Sequence, residues 1–127
     1  MDCGKDYRQT IGRKGEDIAC RFLEGKGHRI LERNFRSGHL EIDIISQDSL
    51  GIHFVEVKTR RMNVQAPPQD NVDIGKQKRI VSAAKKYLSA CRPAGYEECF
   101  FDVAAITFEG DTARIEWIPQ AYIPLYL

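Results

Sequence analysis

The sequence predicts an α/β domain, a mixed sheet with helices before and after its first three strands. Three observations lead there. Two stretches, 12–27 and 74–91, repeat apolar residues at helical spacing, whereas five shorter runs alternate or carry strand composition, three between the helices and two after the second. The length of 127 residues suits one domain, expected to span 1–127 with a core of about 11–118 and an apolar tail at 119–127. Hydrophobic residues make up 43% and charged residues 29%, ordinary usage that excludes a disordered or fibrous chain.

In the first helix, Gly12 to Gly27, Ile18, Ala19, Phe22 and Leu23 share one face, and Gly25 and Gly27 supply stop signals. Arg29 to Phe35 alternates loosely. Leu40 to Ile45 alternates cleanly, which predicts Leu40, Ile42 and Ile44 on one face and Glu41, Asp43 and Ile45 on the other. Gln47 to Gly51 has turn composition. In the third strand, Ile52 to Arg60, His53, Val55, Val57 and Thr59 point one way and Ile52, Phe54, Glu56 and Lys58 the other. Met62 to Asp73, with Pro67-Pro68, reads as an exposed loop. The second helix, Ile74 to Cys91, has a buried face of Ile80, Val81, Ala84 and Leu88. Strands at Phe100–Phe108 and Ala113–Ile118 flank a turn at Glu109-Gly110-Asp111, and the aromatic tail is expected to dock on the sheet or on a second copy of the chain.

Composition narrows the function classes. No apolar run approaches the roughly 18 residues of a membrane helix, and the polar N-terminus lacks the apolar region of a secretory signal. A cytoplasmic protein without membrane association is expected, its four cysteines reduced. No C-x-x-C pair is present, and His28, His39 and His53 lack the paired spacing of a zinc site, so each histidine reads as a surface or turn residue. The net charge of +1 conceals an asymmetry: residues 1–36 carry nine basic and six acidic groups, whereas 93–127 carry one and six.

The chemistry lies where two strands break the apolar rule at matching places. Glu41 and Asp43 share a face of the second strand, and Glu56 and Lys58 a face of the third. Pairing through the 47–51 turn brings three carboxylates and an ammonium within about one strand spacing, roughly 5 Å. Like charges so close call for a dication or a retained proton. An all-oxygen set suits magnesium or manganese, and Glu16, early in the first helix, can face the same end. The bland alternative is a solvated sheet surface with cross-strand ion pairs.

These residues resemble a known family. Glu41-Ile-Asp43 and Phe54-Val-Glu-Val-Lys58-Thr-Arg60, preceded by Gly12-Arg-Lys-Gly-Glu16-Asp-Ile-Ala19 and followed by Lys76-Gln77, look like the YraN family of small bacterial proteins. That family is similar to the PD-(D/E)-x-K nuclease superfamily, which includes archaeal Holliday-junction resolvases. The resemblance covers roughly Ile11 to Val103, with Leu40 where the family usually has glycine. It implies a restriction-endonuclease-like αβββαβ core and metal-dependent hydrolysis of DNA phosphodiesters. Asp43, Glu56 and the Val57 carbonyl would hold magnesium or manganese, with Glu41 either a further ligand or a group behind one. Lys58 would be the catalytic lysine, Glu16 an accessory acid, and Gln77 a helix residue lying over the site. Lys76, Lys78, Arg79 and Lys85, with Arg60 and Arg61, are candidate phosphate contacts on duplex or branched DNA. Their alternative reading is the solvated face of an amphipathic helix. As a whole the chain then reads as a DNA endonuclease, or as a non-catalytic nucleic-acid-binding module of the same fold.

Overall fold

The computed structural model describes residues 3–62 and 72–124, with side chains of the first helix described from Ile11 onward. Its order is α1 (Cys3–Gly25), β1 (Arg29–Ser37), β2 (Leu40–Gln47), β3 (Gly51–Arg61), α2 (Ile74–Cys91), β4 (Glu98–Glu109) and β5 (Thr112–Ile118). This is the αβββαβ succession expected, with one further strand. The five strands form one mixed sheet in the order β1-β2-β3-β4-β5. All neighbours are antiparallel except β3 and β4, which run parallel because α2 carries the chain back across the sheet.

The two helices cover opposite faces. Ala19, Cys20 and Leu23 of α1 pack with Ile44, Val55, Ala104 and Ile106, whereas Ile80, Val81, Ala83, Ala84 and Tyr87 of α2 pack with Ile42, Ile45, Ile52, Phe54, Phe101 and Val103. Gly15, Ala19 and Leu23, four residues apart, are all buried on α1. At the first of them the helix comes so near β3 that a Cβ would lie 2.1 Å from Thr59 Cγ2, and any larger residue displaces the Thr59 side chain. That close approach seats the middle of α1 against β3. Past its C-terminus the His28 N–H reaches the Leu23 carbonyl at 2.9 Å and the Gly27 N–H reaches that of Glu24 at 3.1 Å, with Gly27 at φ 94°. This glycine-terminated stop turns His28 inward.

α1 begins nine residues earlier than its periodicity predicts. The stretch 3–11 is polar and carries no apolar stripe, so its helicity leaves no hydrophobic signal, while each added residue extends the helix by one hydrogen bond. α2 has the predicted bounds, with Asp73 as its N-cap accepting from the Lys76 N–H at 2.8 Å. Most of the expected 62–73 loop, residues 63–71, lies outside the described residues, as do residues 125–127 of the tail. The described part of the tail docks on the sheet: the Ala121 N–H donates to the Phe101 carbonyl at 2.8 Å, and Tyr122 stacks on Phe101 with ring centroids 5.4 Å apart.

One expected alternation fails. Ile42 and Ile44 enter opposite core layers, Ile42 under α2 and Ile44 under α1. On the facing strand Asn34, which lies between the pairs Arg33↔Ile44 and Phe35↔Ile42, adopts φ 52°. A local kink across both strands thus re-aims Asp43.

Gly51 opens β3 at φ 154°, and a Cβ there would lie 2.1 Å from the Glu98 carbonyl oxygen. Because the obstacle is backbone, Gly51→Ala is expected to cost at least about 2 kcal/mol. Urea unfolding of the variant measures this, and a loss below about 0.5 kcal/mol contradicts the close β3–β4 approach.

Candidate functional site

β2 and β3 pair from Gln47↔Ile52 to Ile44↔Val55, and beyond that point the Asp43 side chain takes over. Its Oδ2 accepts from the Val57 N–H at 2.8 Å, so a carboxylate stands where a backbone carbonyl would otherwise continue the ladder. Glu56, one residue before Val57, is 8% exposed and faces α2, where it pairs with the Lys76 ammonium. Glu16 is held from the other side of the sheet end, with Asn34 Nδ2 at 3.4 Å and Arg33 Nη2 at 3.7 Å. Arg33 also reaches Asp17 at 2.8 Å, which ties β1 to α1.

The Asp43 carboxyl is pushed up to about 7. Burial is the leading cause, followed by the charge of Glu56, while the Val57 N–H pulls the other way; the Glu16 charge and a hydrogen bond with Glu56 add to the rise. Lys76 is shifted upward: burial opposes its charge, but the hydrogen bond and charge of Glu56 outweigh that. Glu16 and Glu56 thus both act on Asp43, and the Lys76 ammonium turns in from α2 onto Glu56.

Other expected residues fall at varying distances from this centre. Glu41 is exposed and reaches Arg36 at 3.8 Å, pointing it at β1 rather than into the cluster. Lys58 follows Glu56 by two residues on β3 and is half-buried. Gln77, half-buried next to Lys76, donates to the Val72 carbonyl at 2.8 Å and thereby fixes the turn entering α2. Lys76 was grouped with the phosphate contacts by sequence, yet the first turn of α2 aims it at Glu56. Lys78, Arg79 and Lys85 remain exposed on that helix. Arg60 is exposed and donates through Nε to Thr107 Oγ1 at 3.0 Å, while Arg61 lines an open groove of about 750 Å³ with Ile18, Arg21 and Phe108.

The side-chain donors suit a hard dication, since Asp43 and Glu56 offer oxygen alone and Asp43 is desolvated against the charge of Glu56.

A second polar cluster corrects the expectation for two of the three histidines, whereas His39 is exposed in the β1–β2 turn as expected. His28 and His53 are 8% and 6% exposed, with rings 4.5 Å apart. His53 Nδ1 lies 2.5 Å from Asp102 Oδ2 and its Nε2 lies 2.9 Å from Asp48 Oδ1; His28 Nδ1 lies 2.9 Å from Ser46 Oγ and its Nε2 lies 3.4 Å from Asp48 Oδ2. Burial lowers the His53 pKa, but the hydrogen bonds and charges of Asp102 and Asp48 raise it above the ordinary value. Burial, then the His53 charge, lower that of His28. Spacing alone hides this cluster. A signal was nevertheless present: a turn at 48–50 makes Ser46 face His53, on the side of β3 that Val55 marks as core.

Comparison with known proteins places the chain. A family model described as "Uncharacterised protein family UPF0102" matches residues 15–106. The chain belongs to this family. A UPF0102 protein of Geobacter metallireducens is 44% identical over 117 residues, 91% of this chain and 94% of the relative. One of Nitratidesulfovibrio vulgaris is 40% identical over 92% of this chain and 87% of its own length, and one of Clostridium perfringens is 42% identical over 88% and 91%. The UPF0102 chain also aligns with the structure of Pyrococcus furiosus SfsA in complex with Ca2+, at a TM-score of 0.38 and 18% identity, over 88% of this chain and 63% of that one. Among the described residues of this UPF0102 member, no helix is long and apolar enough to cross a membrane.

The upward shift of Asp43 has a stability consequence. With a native pKa above the unfolded one, the group stabilises fully below about pH 4 and loses that contribution as pH rises to about 7. Asp43→Asn removes the loss. In EDTA, the urea stability of the variant relative to wild type should grow by roughly 2 kcal/mol from pH 5 to pH 8. A difference independent of pH contradicts the buried carboxylate pair.

Proposed function

We propose that this UPF0102 protein is a cytoplasmic, metal-dependent endonuclease that hydrolyses phosphodiesters in duplex or branched DNA. One observation carries the reading: Asp43, seated on the Val57 N–H where the β2–β3 ladder stops, lies against Glu56 with Lys58 two residues farther along the same strand. The likeness of these residues to the PD-(D/E)-x-K pattern supports it.

Asp43, Glu56 and the Val57 carbonyl would hold magnesium or manganese, which when bound supplies Lewis acidity and charge neutralisation at a phosphate. The Lys58 ammonium stabilises negative charge growing on the non-bridging phosphoryl oxygens. Glu16 orients a water for in-line attack at phosphorus, its own carboxylate fixed by Asn34 and Arg33. Gln77 steadies the start of α2 through the Val72 carbonyl, which holds Lys76 over Glu56. Lys78, Arg79 and Lys85 extend a basic face beside the site that suits a phosphate backbone.

Asp43→Ala and Lys58→Ala are each expected to lower manganese-dependent cleavage of branched or linear DNA by at least about 100-fold. Gel assays of both variants measure this, and cleavage at the wild-type rate in both overturns the reading.

The Lys76–Glu56 ion pair favours a second reading, a module that binds nucleic acid without cutting it, because the ammonium provides the countercharge that a dication otherwise would. Both readings expect salt-dependent affinity. Replacing Arg79 or Lys85 with alanine should reduce the slope of log affinity against log salt by about 1 each. Fluorescence anisotropy over a salt series measures it, and unchanged slopes remove α2 from the DNA interface. The binding module alone predicts intact DNA with every divalent ion.

A further inference from the structure

The polar cluster on the α1 side of the sheet has no part in the chemistry proposed for the carboxylates. His28 follows the glycine stop of α1, Asp48 opens the β2–β3 turn, and His53 stands on β3 three residues before Glu56, on the opposite side of the strand. One ligand atom from each, an imidazole nitrogen or a carboxylate oxygen, lies within 4.8 Å of the other two. We propose that His28, Asp48 and His53 form a binding site for a first-row transition dication of the zinc type, separate from the carboxylate site and independent of any nuclease activity.

The orientation of the rings favours a ligand role. Each imidazole presents Nε2 towards Asp48 while its Nδ1 is engaged behind, on Asp102 for His53 and on Ser46 for His28. An Nδ1–H donated to an outer carboxylate or hydroxyl leaves the Nε2 lone pair available and fixes the ring plane, as at histidine metal sites generally. Asp102 is itself held, its Oδ1 accepting from the Gln120 N–H at 2.8 Å. Aromatic neighbours restrict the rings further, with Phe100 stacked on His53 at 4.8 Å and Trp117 edge-on to His28 at 6.2 Å.

Asp48 is equally fixed. Its Oδ1 accepts from the Leu50 and Gly51 N–H groups at 3.0 and 3.2 Å, so the carboxylate is fastened to its own turn while facing both imidazoles. Two nitrogens and one oxygen match zinc, cobalt or nickel and select against magnesium and calcium, which take oxygen alone. Three protein ligands leave a fourth position for water. Binding exchanges the His53 Nε2 proton, which otherwise bridges to Asp48, for the ion. The bound ion would clip the end of α1, the β2–β3 turn and β3 together.

Cobalt(II) titrated into the full-length protein with its thiols alkylated tests the site. The expected result is visible d–d absorption saturating at one equivalent, reversed by zinc and unaffected by excess magnesium. Asp48→Asn and His28→Gln should each weaken cobalt at least about 100-fold, and Ser46→Ala about 10-fold, with Asp43→Ala unchanged. No cobalt absorption by the wild-type protein overturns the proposal. So does absorption that survives both Asp48→Asn and His28→Gln, or that Asp43→Ala abolishes. Should either ligand variant fail to fold, wild-type cobalt binding together with the folded Ser46→Ala variant decides. In the overturned case the cluster is an ion-pair network with His53 bridging two carboxylates.

Discussion

The end of the β2–β3 ladder governs the neighbourhood of the site. A sheet normally continues its hydrogen bonds until a turn or an edge, because an unpaired buried N–H costs about 1–3 kcal/mol. Here the Val57 N–H is satisfied by the Asp43 carboxyl instead, and this exchange lets two central strands part without an orphaned donor. The opening so created admits Glu56 and the Lys76 side chain beneath α2, and Glu16 from α1. Kinking at Asn34 and Asp43 belongs to the same event, since Ile42 and Ile44 must still fill both core layers.

The arrangement carries an electrostatic cost. Burial and the Glu56 charge both work against ionisation of Asp43. Lys76 offsets part of it at Glu56, and Asp43 answers the rest by holding its proton up to about neutral pH. Asp48 contrasts with it. Burial opposes its charge too, yet the His53 hydrogen bond and charge and the Leu50 and Gly51 N–H groups carry its pKa below the usual carboxylate range. Two acids of one type thus take opposite protonation tendencies because one faces carboxylates and the other imidazoles and amides.

Much of the architecture was legible in the chain. The bounds of α2, the order of elements and the two faces of β3 follow from apolar spacing, which registers whatever packs against a core. Asp43 and Glu56 stood out because charges on central strands demand compensation. Lys76 could not be placed that way: its role depends on where the first turn of α2 lands above β3, a tertiary fact absent from helical periodicity. The same limit applied to His28 and His53, which are 25 positions apart and meet only through a glycine stop and a strand register. Spacing rules detect ligands that share a helix or a loop, and these share neither. Glu41 shows the opposite effect, since clean alternation put it on one face with Asp43, whereas the structure leaves it exposed and within reach of Arg36.

The parallel alignment of β3 with β4 bears on how the chain assembles. Every pair from Gly51↔Glu98 to Arg61↔Phe108 joins residues 47 positions apart, whereas β1, β2 and β3 meet through short connections. Loop-closure entropy grows with such separation, and long-range pairing slows folding. The meander can therefore zip early, leaving one flank of β3 open until α2 has traversed the sheet and β4 arrives. Until β4 arrives that bare flank offers unpaired N–H and C=O groups to a neighbouring chain, and it is β4, delivered by the α2 crossover, that closes it.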